Sequence, residues 1–80
     1  MNIRKSDEVA IVLESRNIRD EELREVIQHG ENTGEKFYHK ETGRCLAYER
    51  LGQATYYVLY SVEKSEYVVH SAHWFKSELS

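Results

Sequence analysis

Ala54-Thr55-Tyr56-Tyr57-Val58-Leu59-Tyr60-Ser61-Val62, followed after a short polar break by Tyr67-Val68-Val69-His70-Ser71-Ala72-His73-Trp74-Phe75, is the stretch that decides the fold. Both runs are rich in β-branched and aromatic side chains, which suit a pleated, half-buried surface. The break Glu63-Lys64-Ser65-Glu66 has the length of a hairpin connection, so the two runs read as antiparallel neighbours. Working backward, Arg44–Leu51 and Lys36–Lys40 repeat the pattern, joined by the turns Gly52-Gln53 and Glu41-Thr42-Gly43. Gly52 suits the first central position of a two-residue II′ turn. The chain has no proline to interrupt a strand. Four consecutive strands with short turns predict an antiparallel meander.

Upstream of the sheet the period changes. Leu23, Val26 and Ile27 fall at i, i+3 and i+4, which makes one apolar stripe and predicts a helix over Asp20–His29. Asp20 is placed to cap it, Glu21 and Glu22 favour the positive end of its dipole, and Gly30 supplies a left-handed stop. Glu31–Gly34 then reads as a loop. Val9-Ala10-Ile11-Val12-Leu13 is a short apolar run that reads as an extra N-terminal strand, with a helix started by Ser6-Asp7-Glu8 as the alternative. Residues 1–8 are polar and expected to fray. The fold class is therefore α+β within one domain spanning residues 1–80: one main helix on a four-stranded antiparallel meander.

Strand side chains alternate between faces, so the turns set which residues share a side. With three residues in the first turn, one face carries Phe37, His39, Cys45, Ala47, Tyr56, Val58, Tyr60, Tyr67, Val69 and Ser71. The other carries Tyr38, Leu46, Tyr48, Arg50, Thr55, Tyr57, Leu59, Val68, His70, Ala72 and Trp74. Cys45, Ala47 and Ser71 are small enough to admit a helix, which places the Leu23–Val26–Ile27 stripe on the first face, against Val58, Tyr60 and Val69. One short helix covers one face of a sheet. Tyr48, Tyr57, Leu59, His70 and Trp74 on the second face are thus the candidate interface, with a protein partner or a second copy as the expected occupant. The alternative is that the N-terminal segment wraps across that face.

Composition narrows the function classes. Eleven basic and 14 acidic residues give a net charge of −3, with nine acidic against five basic in residues 1–35 and five against six in residues 36–80. Neither half offers a general field for polyanions, which makes nucleic acid an unlikely partner. No apolar run approaches the ~20 residues of a spanning helix, so a membrane role is not expected. A single cysteine, Cys45, fits a reducing compartment, and the cytoplasm is the expected location.

The chemistry-bearing residues do not assemble into a motif. His70 and His73 differ by three, which puts them on opposite faces of a regular strand. His39 and Cys45 as cross-strand neighbours supply two ligands where zinc takes three or four, or a thiol with its base; a small buried hydrophobe is the ordinary reading of such a cysteine. His29 at a helix C-terminus is an ordinary stabilising arrangement. No catalytic residue, cofactor or metal is expected.

Asp20-Glu21-Glu22-Leu23-Arg24-Glu25-Val26-Ile27, Thr33-Gly34-Glu35-Lys36-Phe37, Glu41-Thr42-Gly43, Leu46-Ala47, Ala54-Thr55-Tyr56 and Tyr67-Val68-Val69-His70 together resemble a small bacterial and archaeal family of helix-plus-antiparallel-sheet domains. Its members are found beside or fused to pyridine-nucleotide oxidoreductases of the glutamate-synthase small-subunit type. The resemblance covers roughly residues 18–73 and departs at Trp74-Phe75-Lys76-Ser77, where the family shows a Ser-His-Arg-Met-like segment. It carries over no catalytic residue. The absent catalytic constellation and the surplus aromatic face favour a non-enzymatic interaction or accessory domain, and the resemblance implies association with a redox enzyme. A looser similarity of topology, a helix followed by a strand meander, links the chain to RelE-type toxins that cleave or bind RNA, with Arg44, Arg50 and Lys76 as the local cations such an activity needs.

Overall fold

A computed structural model describes residues 1–77. The elements run β1 (Ile3–Arg4), α1 (Asp7–Ser15), α2 (Asp20–Thr33), β2 (Lys36–His39), β3 (Arg44–Leu51), β4 (Ala54–Glu63) and β5 (Glu66–Lys76). The strands form one five-stranded sheet in the order β1-β5-β4-β3-β2. β2 to β5 are the antiparallel meander, while β1 pairs in parallel with Tyr67 and Val68 of β5. The α+β class stands, but the architecture is two helices on a mixed sheet rather than one helix on four antiparallel strands.

The segment expected as an N-terminal strand is α1. Ser6 takes extended backbone and its hydroxyl accepts the Val9 N–H at 3.2 Å, with Asp7 and Glu8 in the first turn. Val9 and Leu13, four residues apart, then face the core together, a helical spacing that the run's β-branched composition obscured. Residues 1–8 are not simply frayed either: Ile3 packs against the core from β1, and Tyr67 N–H reaches Asn2 O at 2.9 Å.

α2 begins as expected, although Arg19 is the N-cap residue and Glu22 Oε1 accepts its N–H at 2.8 Å. Asp20 instead takes the Lys5 ammonium at 2.7 Å. The helix does not stop at Gly30. It continues one turn to Thr33, and Gly34, with φ of 81°, supplies the left-handed residue whose N–H closes on Gly30 O at 2.9 Å. Gly30 serves packing instead, lying flat against Ala47 of β3.

Leu23, Val26 and Ile27 are fully buried in one cluster with Val58, Tyr60 and Val69, as their spacing predicts. Leu13 and Ile18 from the α1 side join the same cluster, so both helices lie on one face. Each such side chain contributes about 1.5–3 kcal/mol by leaving water. The Tyr60 hydroxyl donates to Glu31, whose carboxylate also takes the Lys36 ammonium at 2.6 Å. Burial works to raise the Glu31 carboxyl, but those two hydrogen bonds outweigh it and hold it below the usual range.

Two departures from ideal pairing re-sort the sheet faces. His39 pairs with Arg44, so the β2–β3 connection is the four residues Lys40–Gly43 rather than three, and that slip turns every side chain of β2 over. In β5, Val69 pairs with Tyr60 and Ser71 with Leu59, which leaves His70 as an extra residue in a bulge. Beyond it, Ala72 and Trp74 are aligned with Val58 and Tyr56 on the helix side, while Ser71, His73 and Phe75 turn to the other face.

The β4–β5 turn is tight. Lys64 and Ser65 lie between the paired Glu63 and Glu66, both with positive φ, 49° and 67°. That is a type I′ geometry occupied by residues with a Cβ. Replacing the pair by Asn-Gly should raise stability by about 1 kcal/mol, read as a higher thermal midpoint with no change in circular dichroism. A lower midpoint contradicts the turn assignment.

Candidate functional site

Because α1 and α2 share one side, no described element covers the other face of β2–β5. On that open face four aromatic rings touch in a row across four strands. Phe37 stacks on Tyr48 with centroids 5.6 Å apart and planes 21° apart; Tyr48 lies 6.3 Å from Tyr57, and Tyr57 meets Phe75 edge-on at 5.9 Å. His73 extends the row, stacked 6.2 Å from Phe75. The outer rings are the most open, Phe37 at 65% and Phe75 at 61% exposure. Leu46 and Leu59 lie beside the row, both half-buried.

Of the expected interface residues, Tyr48, Tyr57, Leu59 and His70 belong to this face. Trp74 does not. The bulge moves it to the helix side, where its indole Nε1 donates to Arg16 O at 2.7 Å and the ring closes the end of α1. Phe37 and His39, expected against the helix, are on the open face, and Tyr38 takes the opposite side. Phe37, His73 and Phe75 were missed for the same reason: one turn longer by a residue and one bulge, neither written in the composition of the strands. The N-terminal segment does not wrap across the face, since α1 packs on β5 with Leu13 in the same core cluster as the α2 stripe.

Arg16, the C-cap of α1, reaches this face at the β5 edge, its Nη1 3.3 Å from His73 Nε2. Arg44 and Arg50 are exposed and, among the described residues, neither makes a salt bridge. Glu63 and Glu66, at the far end of the face, are held by Arg4 at 3.3 and 3.9 Å. His70 Nε2 lies 2.8 Å from Ser61 Oγ, which donates in turn to Glu63 at 3.2 Å. Burial, and then the nearby Arg44 charge, lower the His70 imidazole below its usual range. The Ser–His–Glu trio is not a hydrolytic triad, because the carboxylate touches the hydroxyl rather than orienting the imidazole, and Ser61 is only 7% exposed.

The remaining candidates are dispersed. His39 and Cys45 fall on opposite faces, so no thiol–imidazole pair forms. His29 lies between Glu35 at 2.7 Å and Glu49 at 3.3 Å. Burial, reinforced by a hydrogen bond with Glu25, raises the Glu49 carboxyl. Among the described residues no group of three or more histidine, cysteine or acidic side chains is arranged to hold a metal ion, and no helix is long and apolar enough to cross a membrane.

Cys45 is 6% exposed beneath α2. It should react slowly with a thiol reagent in the native protein and quickly after denaturation, because burial blocks access. Fast native labelling at neutral pH contradicts this placement. Compared with known proteins, the chain matches no family model, no curated sequence and no solved structure.

Proposed function

We propose that this domain is a non-enzymatic binding module whose working surface is the open face of its sheet. The single observation behind the reading is the uncovered row Phe37–Tyr48–Tyr57–Phe75. Aromatic side chains bury large area at low entropic cost, and a contiguous apolar patch on a domain's surface commonly marks an association site. The helix side exposes Tyr38, Val62 and Trp74, but no row of touching rings joins them. The resemblance to domains that accompany pyridine-nucleotide oxidoreductases nominates such an enzyme as the first protein partner to try.

The test compares wild type with Tyr57→Glu and with Glu21→Gln, a control on the exposed side of α2. Each variant is first checked for an intact fold by thermal melting. Whatever macromolecule the wild type retains, a second copy included, is lost with Tyr57→Glu and kept with Glu21→Gln. Retention or self-association that is indifferent to Tyr57→Glu overturns the reading.

A further inference from the structure

We infer that the occupant of the open face is a single-stranded nucleic acid, its bases stacked on the Phe37–Tyr48–Tyr57–Phe75 row and its phosphates held by Arg44 and Arg50. The inference rests on the reading of that face as the working surface and adds the chemistry of its ligand.

Charge comes first. The net −3 of the whole chain suggests a protein that repels polyanions, but the carboxylates are not spread evenly. α1 carries three and α2 carries five, all on the elements that lie behind the sheet. On the open face Arg4 alone bridges the strand carboxylates Glu63 and Glu66, and Arg44 and Arg50 make no salt bridge among the described residues, so three guanidinium groups stand against two strand carboxylates. An anion therefore meets a cationic aromatic surface on one side of the domain and an acidic one on the other, which orients its approach. A second copy laid face to face offers these arginines only Glu63 and Glu66 as strand carboxylates, and Arg4 already bridges both. Charge thus favours an anionic occupant over self-association.

The rings narrow the kind of anion. An acidic peptide satisfies the arginines and leaves four rings in contact with little that needs them. Every nucleobase has a π-face, and a row of rings beside guanidinium groups is how single strands are held without sequence readout. Arg50 lies two residues from Tyr48 on the same face, about 7 Å along the strand. A base on the Tyr48 ring brings its phosphate within reach of that guanidinium, while Arg44 waits beyond Leu46 on the other flank. A duplex hides its base faces in its own stack and gains only the phosphate contacts. No strand cleavage is part of the inference, since Ser61 is buried and His70 lacks an orienting carboxylate.

The experiment is anisotropy of short fluorescein-labelled oligo(dT) and oligo(U) titrated with the full chain at several salt concentrations, with a duplex of the same length as control. Single strands bind and the duplex binds much more weakly. Tyr48→Ala and Tyr57→Ala each weaken binding roughly tenfold. With two phosphate contacts the logarithm of affinity falls with the logarithm of salt at a slope of about −1.4, and Arg50→Gln reduces that slope by about half. Duplex binding as tight as single-strand binding, or affinity unchanged in folded Tyr48→Ala and Tyr57→Ala proteins, overturns the inference. So does the absence of salt-sensitive binding. Sedimentation of the same samples separates the two levels of the reading. If no oligonucleotide binds but the chain dimerises and Tyr57→Glu dissociates it, the working face stands and its nucleic-acid occupant falls. If neither association is seen and no protein partner depends on Tyr57, both fall.

Discussion

Val26→Asp leaves the domain unfolded at room temperature. Val26 is completely buried on the middle of the α2 stripe, between Leu23 and Ile27, and its neighbours in the core are apolar. The substitution removes a packed side chain, at about 2 kcal/mol, and asks an unpaired carboxylate to sit in its place, at a cost of several kcal/mol more even if the group takes up a proton. A domain of this size holds about 5 kcal/mol of net stability. The loss therefore equals or exceeds the whole. Far-UV circular dichroism and the thermal transition report it directly, and a variant that melts within a few degrees of wild type contradicts the packing of α2 described above.

Gly30 predicts a second large effect, of opposite intuition. In a helix interior Ala is favoured over Gly by about 1 kcal/mol, so Gly30→Ala should stabilise if only propensity matters. Yet a Cβ at position 30 lies 2.8 Å from Ala47 Cβ, with Glu35 O and Lys36 Cβ next nearest at 3.5 and 3.6 Å. The methyl group has to push α2 off β3, and overpacking of this kind costs about 1–3 kcal/mol. Gly30→Ala should lower the thermal midpoint by several degrees, and Gly30→Leu should lower it much further. Removing the opposing methyl with Ala47→Gly should be less harmful in the Gly30→Ala background than in wild type, a coupling of about 1 kcal/mol in a double-mutant cycle. A Gly30→Ala protein more stable than wild type shows that the helix has room to spare.

These two residues illustrate how much was legible in the chain. The stripe Leu23, Val26, Ile27 announces itself because its period matches a helix and nothing competes. The sheet strands are equally plain, since β-branched and aromatic runs separated by Gly or charged turns admit few alternatives. Gly30 misleads because glycine has two common uses near a helix end, a left-handed stop and a close contact, and only the position of β3 tells them apart. Val9–Leu13 misleads because β-branched residues favour a strand locally, while the Ser6 cap and the burial of Leu13 against the same core favour a helix. Tertiary contact decided the matter.

The candidate face was legible only in part. Tyr48, Tyr57 and Leu59 lie in the middle strands, whose register follows from the two-residue Gly52-Gln53 turn, and they fall where alternation puts them. Phe37 and Phe75 lie beyond the one-residue turn difference and beyond the bulge, and so do His73 and Trp74. A period of two is unforgiving: a single inserted residue reverses all that follows, and backbone hydrogen bonding rather than side-chain type sets where it falls.

The parallel pairing of β1 has a consequence for the order in which the molecule comes together and comes apart. Ile3 pairs with Tyr67, a separation of 64 residues (67 − 3), whereas every other ladder joins strands that follow one another in sequence. Two residues of ladder return little against the entropy of closing so long a loop, so β1 docks after the meander and helices have formed. By the same reasoning it is the first strand to release during a partial opening. Its release bares the Tyr67 and Val68 backbone at the outer edge of β5, with no proline there to blunt the edge. β1 is in effect a latch on a sticky margin, and deletion of Met1 to Arg4 should appear first as concentration-dependent aggregation, while the folded core keeps its shape.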